Sequence, residues 1–162
     1  MDIGKASKIE QGSPADLWRE VARGRLYFEL GGLAFAVQKG FTPTEFGRHV
    51  WGHGAVQRTG KADPTALEYM GGEAKEHLHF IPDIQVHFDV MEDDLAQMTL
   101  SNGCWGGYGK KRWGTASYWG LSQDRVCEYC HECYGAWGEQ IGLSITTNPQ
   151  ADGTCFIRAT RP

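Results

Sequence analysis

The sequence has no apolar run of membrane-spanning length, which excludes a transmembrane helix. Its first residues, Met1-Asp2-Ile3-Gly4-Lys5, lack the apolar stretch of a secretory signal, so a cytoplasmic setting is expected. It has no excess of basic residues. Sixteen Lys and Arg stand against 20 Asp and Glu, a net charge of -4, and a nucleic-acid footprint is not expected. It has no internal repeat and no low-complexity tract. Its five cysteines are an odd number, so an intrachain disulfide set cannot use them all. Reduced thiols or metal ligands are the expected use.

What is present is a chain of 162 residues with 22 glycines, six tryptophans and six histidines. That length suits one domain, read as residues 13–162 behind a polar arm of residues 1–12. Glycine with aromatics suggests tight turns around a lined pocket, and hence a small-molecule partner.

Helix starts are well marked. Ser13-Pro14-Ala15-Asp16 offers a cap and a proline at the first helical position, predicting a helix over 14–38. Gly31-Gly32 inside it would bend the helix or admit a close neighbour. Thr42-Pro43-Thr44-Glu45 predicts a second helix over 43–59, with Phe46, His49, Val50 and His53 on one face. Asp63-Pro64 opens a third over 64–79, with Leu67, Met70, Ala74 and Leu78 inward and His77 and His79 near its end. The period then changes to two. Residues 84–90 and 95–101 alternate as a hairpin, and 143–148 with 154–160 form another. Between the hairpins, a Gly/Trp/Tyr-rich loop or broken helix precedes a helix from Ser122 to about Ile141. The expected fold is α+β: N-terminal helices on one face of a four-stranded antiparallel sheet, with a further helix between two hairpins.

The chemistry concentrates in Cys127-Glu128-Tyr129-Cys130-His131-Glu132-Cys133. Cys127-x-x-Cys130-His131 fits c-type haem attachment, although no export signal accompanies it. A zinc site would join Cys127 and Cys130 to Cys133, Cys104, Cys155 or a histidine such as His131. An iron–sulfur cluster could use Cys127, Cys130 and Cys133 with Cys104 or Cys155, although the proline that follows ferredoxin cysteines is missing. The bland reading is a helix burying small, soft side chains. Thiol nucleophilic chemistry is a further reading. Cys104 ends the first hairpin, Gly106 and Gly107 offer backbone amides to an oxyanion, and His131, His87 or His53 could serve as base. Trp105, Trp113 and Trp119 would line the ligand or cofactor pocket.

The run Gln85-Val86-His87-Phe88-Asp89-Val90, the second strand with Cys104, the cysteine-bearing helix 127–141 and the final Asp152-Gly153-Thr154-Cys155-Phe156 carry a resemblance. Over about residues 84–160 the chain resembles the L-2-amino-thiazoline-4-carboxylic acid hydrolase family and the related vinyl-reductase-like small-molecule-binding domains. The resemblance implies a compact α+β domain with a cysteine-lined pocket. Its activity would be hydrolysis of a small cyclic C–N or C–S compound, with Cys104 as nucleophile, or simple ligand binding. A metal- or haem-binding protein and a non-catalytic ligand sensor are the alternatives.

Overall fold

The structure is a computed structural model that describes residues 12–81, 83–104 and 113–162, with residues 113 and 114 described by backbone alone. The N-terminal arm up to residue 11, Trp105, Gly106, Gly107 and the side chain of Trp113 therefore lie outside the described residues.

Three prominent helix starts are built by side-chain caps. Ser13 accepts from the Asp16 amide at the head of α1 (Pro14–Gln38). Full capping boxes open α2 (Pro43–Trp51) through Thr42 and Glu45, and α4 (Ala66–Phe80) through Thr65 and Glu68. The expected single helix over 43–59 is two. The chain leaves α2 at Gly52 and turns through Gly54, whose φ is +90°, before the short α3 (Ala55–Thr59). His53 thus lies beyond the end of α2. The third helix starts at Ala66 rather than Pro64, because Thr65 supplies its cap. Gly31-Gly32 does not break α1. A side chain there would press on Trp119 and Phe46, so the pair admits close neighbours.

Strands β1 (Gln85–Met91) and β2 (Leu95–Ser101) form one hairpin. Strands β3 (Ser144–Pro149) and β4 (Cys155–Thr160) form the other. Antiparallel pairing of β2 with β4 joins them into one sheet of order β1-β2-β4-β3. The register shifts between Phe88 and Val90, and Asp89 there is pinned by hydrogen bonds from Thr99 (2.6 Å) and Gln97 (3.3 Å). Short α5 (Trp113–Tyr118) and long α6 (Gln123–Ile141) separate the hairpins. The expected α+β architecture is present.

One face of the sheet is covered by helices. Ala96, Met98, Leu100, Ile145, Ile157 and Ala159 pack into a core with Met70 and Ala74 of α4 and with Tyr134, Trp137 and Ile141 of α6. A second core lies on the other side of α6. There Leu26, Leu30 and Leu33 of α1 meet Ala116, Val126, Tyr129 and Cys133. Helix α6 is therefore shared by both cores. Helix α2 crosses α6 closely at Gly47, where a Cβ would come 3.0 Å from the Tyr129 carbonyl oxygen. Among the described residues no helix is long and apolar enough to cross a membrane.

Candidate functional site

The inward stripe of α4 differs from the one its apolar residues suggest. Leu78 is half exposed, while Tyr69, Glu73 and His77 are buried. Glu73 and His77 are 1% and 0% exposed, so a carboxylate and an imidazole have left water and require partners. They find them on neighbouring elements. Arg58 of α3 donates to one Glu73 oxygen at 2.9 Å, and the Tyr134 hydroxyl of α6 meets the other at 3.0 Å. The same hydroxyl lies 3.2 Å from His77 Nε2, and His77 Nδ1 donates to the Glu73 carbonyl at 2.8 Å. Burial lowers the His77 pKa and raises that of Tyr134 well above its ordinary value.

A second unit repeats this arrangement on the far side of α6. Arg25 of α1 donates to Glu29 at 2.7 Å, and the Tyr129 hydroxyl donates to the other Glu29 oxygen at 2.8 Å. Trp51 Nε1 closes the chain by donating to the Tyr129 oxygen at 2.6 Å. Burial raises the Glu29 pKa, opposed by Arg25 and by the hydrogen bond from Tyr129.

Both arginines reach one cleft. It is bordered by Arg25, Trp51, His53, Arg58, Phe80 and Trp137, with Glu76 also on its wall, and holds about 380 Å³. Arg58 lies over the Trp137 ring at 4.2 Å and Arg25 over Phe80 at 5.2 Å. Trp51 meets Trp137 edge to face with centroids 5.1 Å apart. The cleft thus has aromatic walls, two guanidiniums that are each bonded to a carboxylate also held by a tyrosine, and the Glu76 carboxylate 4.0 Å from Arg58.

The thiols gather elsewhere. Asn102 adopts the left-handed conformation (φ +60°) and donates to the Asp83 carbonyl at 2.9 Å, turning the chain out of β2 into Cys104. There Cys104 joins Cys127 and Cys130 of α6 and Cys155 of β4 on a crevice of about 20 Å³. That volume suits a single water or ion, whereas small-molecule pockets are usually ~300–1,000 Å³. Burial, followed by the nearby Cys104, pushes the pKa of Cys127 and of Cys155 up to about 12. Burial also raises Cys130 well above its ordinary value. Cys133 is not part of this crevice and is buried in the second core.

The histidines assigned as bases fall in different places. His131 is exposed and pairs with the Thr147 hydroxyl at 3.2 Å, and Thr147 itself lines the thiol crevice. His87 points outward from β1, 80% exposed and 4.0 Å from Asp89. His53 borders the aromatic cleft. Trp119 packs against Gly31 and Tyr27 within the second core. Among the described residues no three His, Cys, Asp or Glu side chains stand ready to hold a metal ion.

Arg25, Arg58, Glu29, Glu73, Tyr129 and Tyr134 were not singled out from the sequence. The available signal was local: Tyr69, Glu73 and His77 recur at four-residue spacing on α4, as do Arg25 and Glu29 on α1. Comparison with family models, with curated proteins and with solved structures returns no match for this chain.

Proposed function

We propose that this protein is a small-molecule-binding domain whose ligand site is the cleft between α1, α3, α4 and α6. The observation that carries this reading is the cleft's combination of size and walls. Its volume of about 380 Å³ falls in the range of small-molecule sites, and the exposed Phe80 and partly buried Trp51 border it with ring edges and surface. Among the described residues none of the five cysteines is in a disulfide, as a reducing setting would keep them. The test is a library of flat aromatic fragments followed by ¹H–¹⁵N spectra of the full chain. Binders are expected to move the indole resonances of Trp51 and Trp137 and to lose affinity in Phe80→Ala. A library without binders, or binders that map elsewhere, would sink the reading.

The thiol crevice supports a second reading, favoured by one observation: four cysteines from three elements line a cavity the size of one ion. The donors suit zinc, which takes thiolates at about 2.3 Å in a tetrahedral set. Cys104, Cys127, Cys130 and Cys155 would turn inward to hold it, losing protons that burial otherwise retains. On this reading Cys104 is a ligand. On the hydrolase reading it is a nucleophile, with His131, which pairs with the crevice residue Thr147, as base. Elemental analysis after expression in zinc-supplemented medium decides for or against zinc. About one zinc per chain, lost in Cys130→Ser together with stability, is the expected result, and a metal-free wild type rejects it.

A further inference from the structure

Helix α1 carries a second apolar face that its own fold does not use. Its buried Leu26, Leu30 and Leu33 recur every three or four residues and form one wall of the second core. On the opposite side stand Leu17, Val21, Phe28 and Phe35, which are 46%, 71%, 86% and 61% exposed. With Gly24 and Gly31 these residues alternate at four- and three-residue spacing, the period of a helix–helix seam. From this face we infer that the protein pairs with a second copy of itself, α1 against α1 in antiparallel, with Phe28 of each protomer seated over the partner's Gly24.

The first argument is self-complementarity. The spacing of the stripe reads the same in both directions, so an antiparallel copy meets it residue for residue, as a two-fold interface requires. The register that lays Phe28 over the partner's Gly24 also lays Val21 over the partner's Gly31 and Leu17 beside the partner's Phe35. Large side chains thus meet glycines at the centre. Gly24 is exposed, and a Cβ built on it would have nothing within 4 Å, so the seat is open. Beside Gly31 the protomer's own Trp119 supplies ring surface. A parallel copy would set Phe28 against Phe28 and glycine against glycine, which packs poorly.

The second argument is area. At ~150–250 Å² per aromatic side chain, Phe28 and Phe35 alone offer about 220–370 Å² per protomer. Leu17 and Val21 extend the stripe, and the half-exposed Trp18 and Tyr27 flank it. Doubled by symmetry, this approaches the ~1,200 Å² at which specific interfaces begin. Monomers rarely leave so large an apolar patch in water. A lipid surface suits it less well. The charges bordering the stripe, Glu20, Arg25 and Lys39, are of both signs, whereas helices that lie in a membrane surface are rich in Lys and Arg.

The experiment is analytical ultracentrifugation of the full chain up to about 200 μM, above the Kd on the order of 10 μM expected of an interface this small. A thiol reductant prevents disulfide cross-links between chains. The wild type is expected to dimerise, and Phe28→Glu should weaken the dimer more than about tenfold. Gly24→Leu is the sharper variant. It enlarges the apolar stripe but fills the seat, so it should also weaken the dimer. Leucine is the better helix former, and the dilute Gly24→Leu monomer should therefore melt no lower than wild type. A wild type that stays monomeric overturns the pairing, as does a dimer that Phe28→Glu leaves intact. A dimer that Gly24→Leu tightens shows adhesion of apolar surface without the seat, and overturns the antiparallel register. A monomer that floats with phosphatidylcholine–phosphatidylglycerol vesicles would assign the stripe to lipid instead.

Discussion

A hydroxyl with one proton cannot donate to two acceptors, and Tyr134 stands within reach of both Glu73 and His77 Nε2. His77 Nδ1 must donate to the Glu73 carbonyl, so in the neutral ring Nε2 is the bare nitrogen. Tyr134 therefore gives its proton to Glu73 or to His77, and not to both at once. Glu29 is simpler to test, because its pKa is raised chiefly by burial despite Arg25 and Tyr129. A carboxyl with a raised pKa in the folded state favours folding most when protonated. Its contribution is fully present below the unfolded value of about 4.3 and is lost as pH rises through the folded value. At neutral pH the charged form is thus a burden. Glu29→Gln keeps an acceptor for Tyr129 and removes that charge. Relative to wild type its melting temperature should therefore be higher at pH 7.5 than near pH 4, on top of a pH-independent loss of the Arg25 ion pair. The advantage should shrink as pH falls toward about 4.3, where the native carboxyl is protonated. Thermal melts of both proteins from pH 4 to 8 measure this, and an advantage that grows on acidification contradicts it.

At the scale of elements, punctuation carried most of the legible information. Ser13-Pro14 and Thr42-Pro43 begin helices where their capping chemistry places them, and the alternation of residues 84–101 is a hairpin. The break after Trp51 was less visible, because Gly52 and Gly54 are separated by a histidine that had been placed on a continuing helical face. The cysteines were legible as a group, since a strand end, a helix face and a return strand can meet around one crevice. The arginine cleft was not. Its logic requires Arg58 to meet Glu73 and Glu73 to meet Tyr134, 61 residues further along the chain. Apolar periodicity assigned Leu67 and Leu78 to the inner face of α4 and had no means of registering a buried glutamate. Whether such a residue is inside depends on partners from other elements, which local spacing does not report.

For the molecule as a whole, α6 decides how stability is distributed. Its Tyr134, Trp137 and Ile141 belong to the core against the sheet, while Val126, Tyr129 and Cys133 belong to the core against α1. The two cores are also tied by Trp51, which packs against both and donates to Tyr129. Arg48 adds a surface tie from α2 to Glu132 and Glu139, but exposed pairs of this kind contribute at most about 1 kcal/mol each. If α6 must be in place for either core to close, the layers cannot melt separately, and unfolding is a single transition. Leu33→Ala hollows the α1 core and Met98→Ala hollows the sheet core, both at fully buried positions. Each should cost about 2–5 kcal/mol, by lost transfer energy and an unfilled cavity. The informative comparison is between probes. Far-ultraviolet ellipticity follows all the helices, whereas sheet amides can be followed individually by hydrogen exchange. In both variants the ellipticity midpoint and the protection of Leu100 and Ile157 amides should fall together. A Leu33→Ala protein that loses helix signal first, with Leu100 and Ile157 still protected, would show that the α1 layer opens on its own. The cleft bordered by α1, α3, α4 and α6 would then widen without unfolding of the sheet.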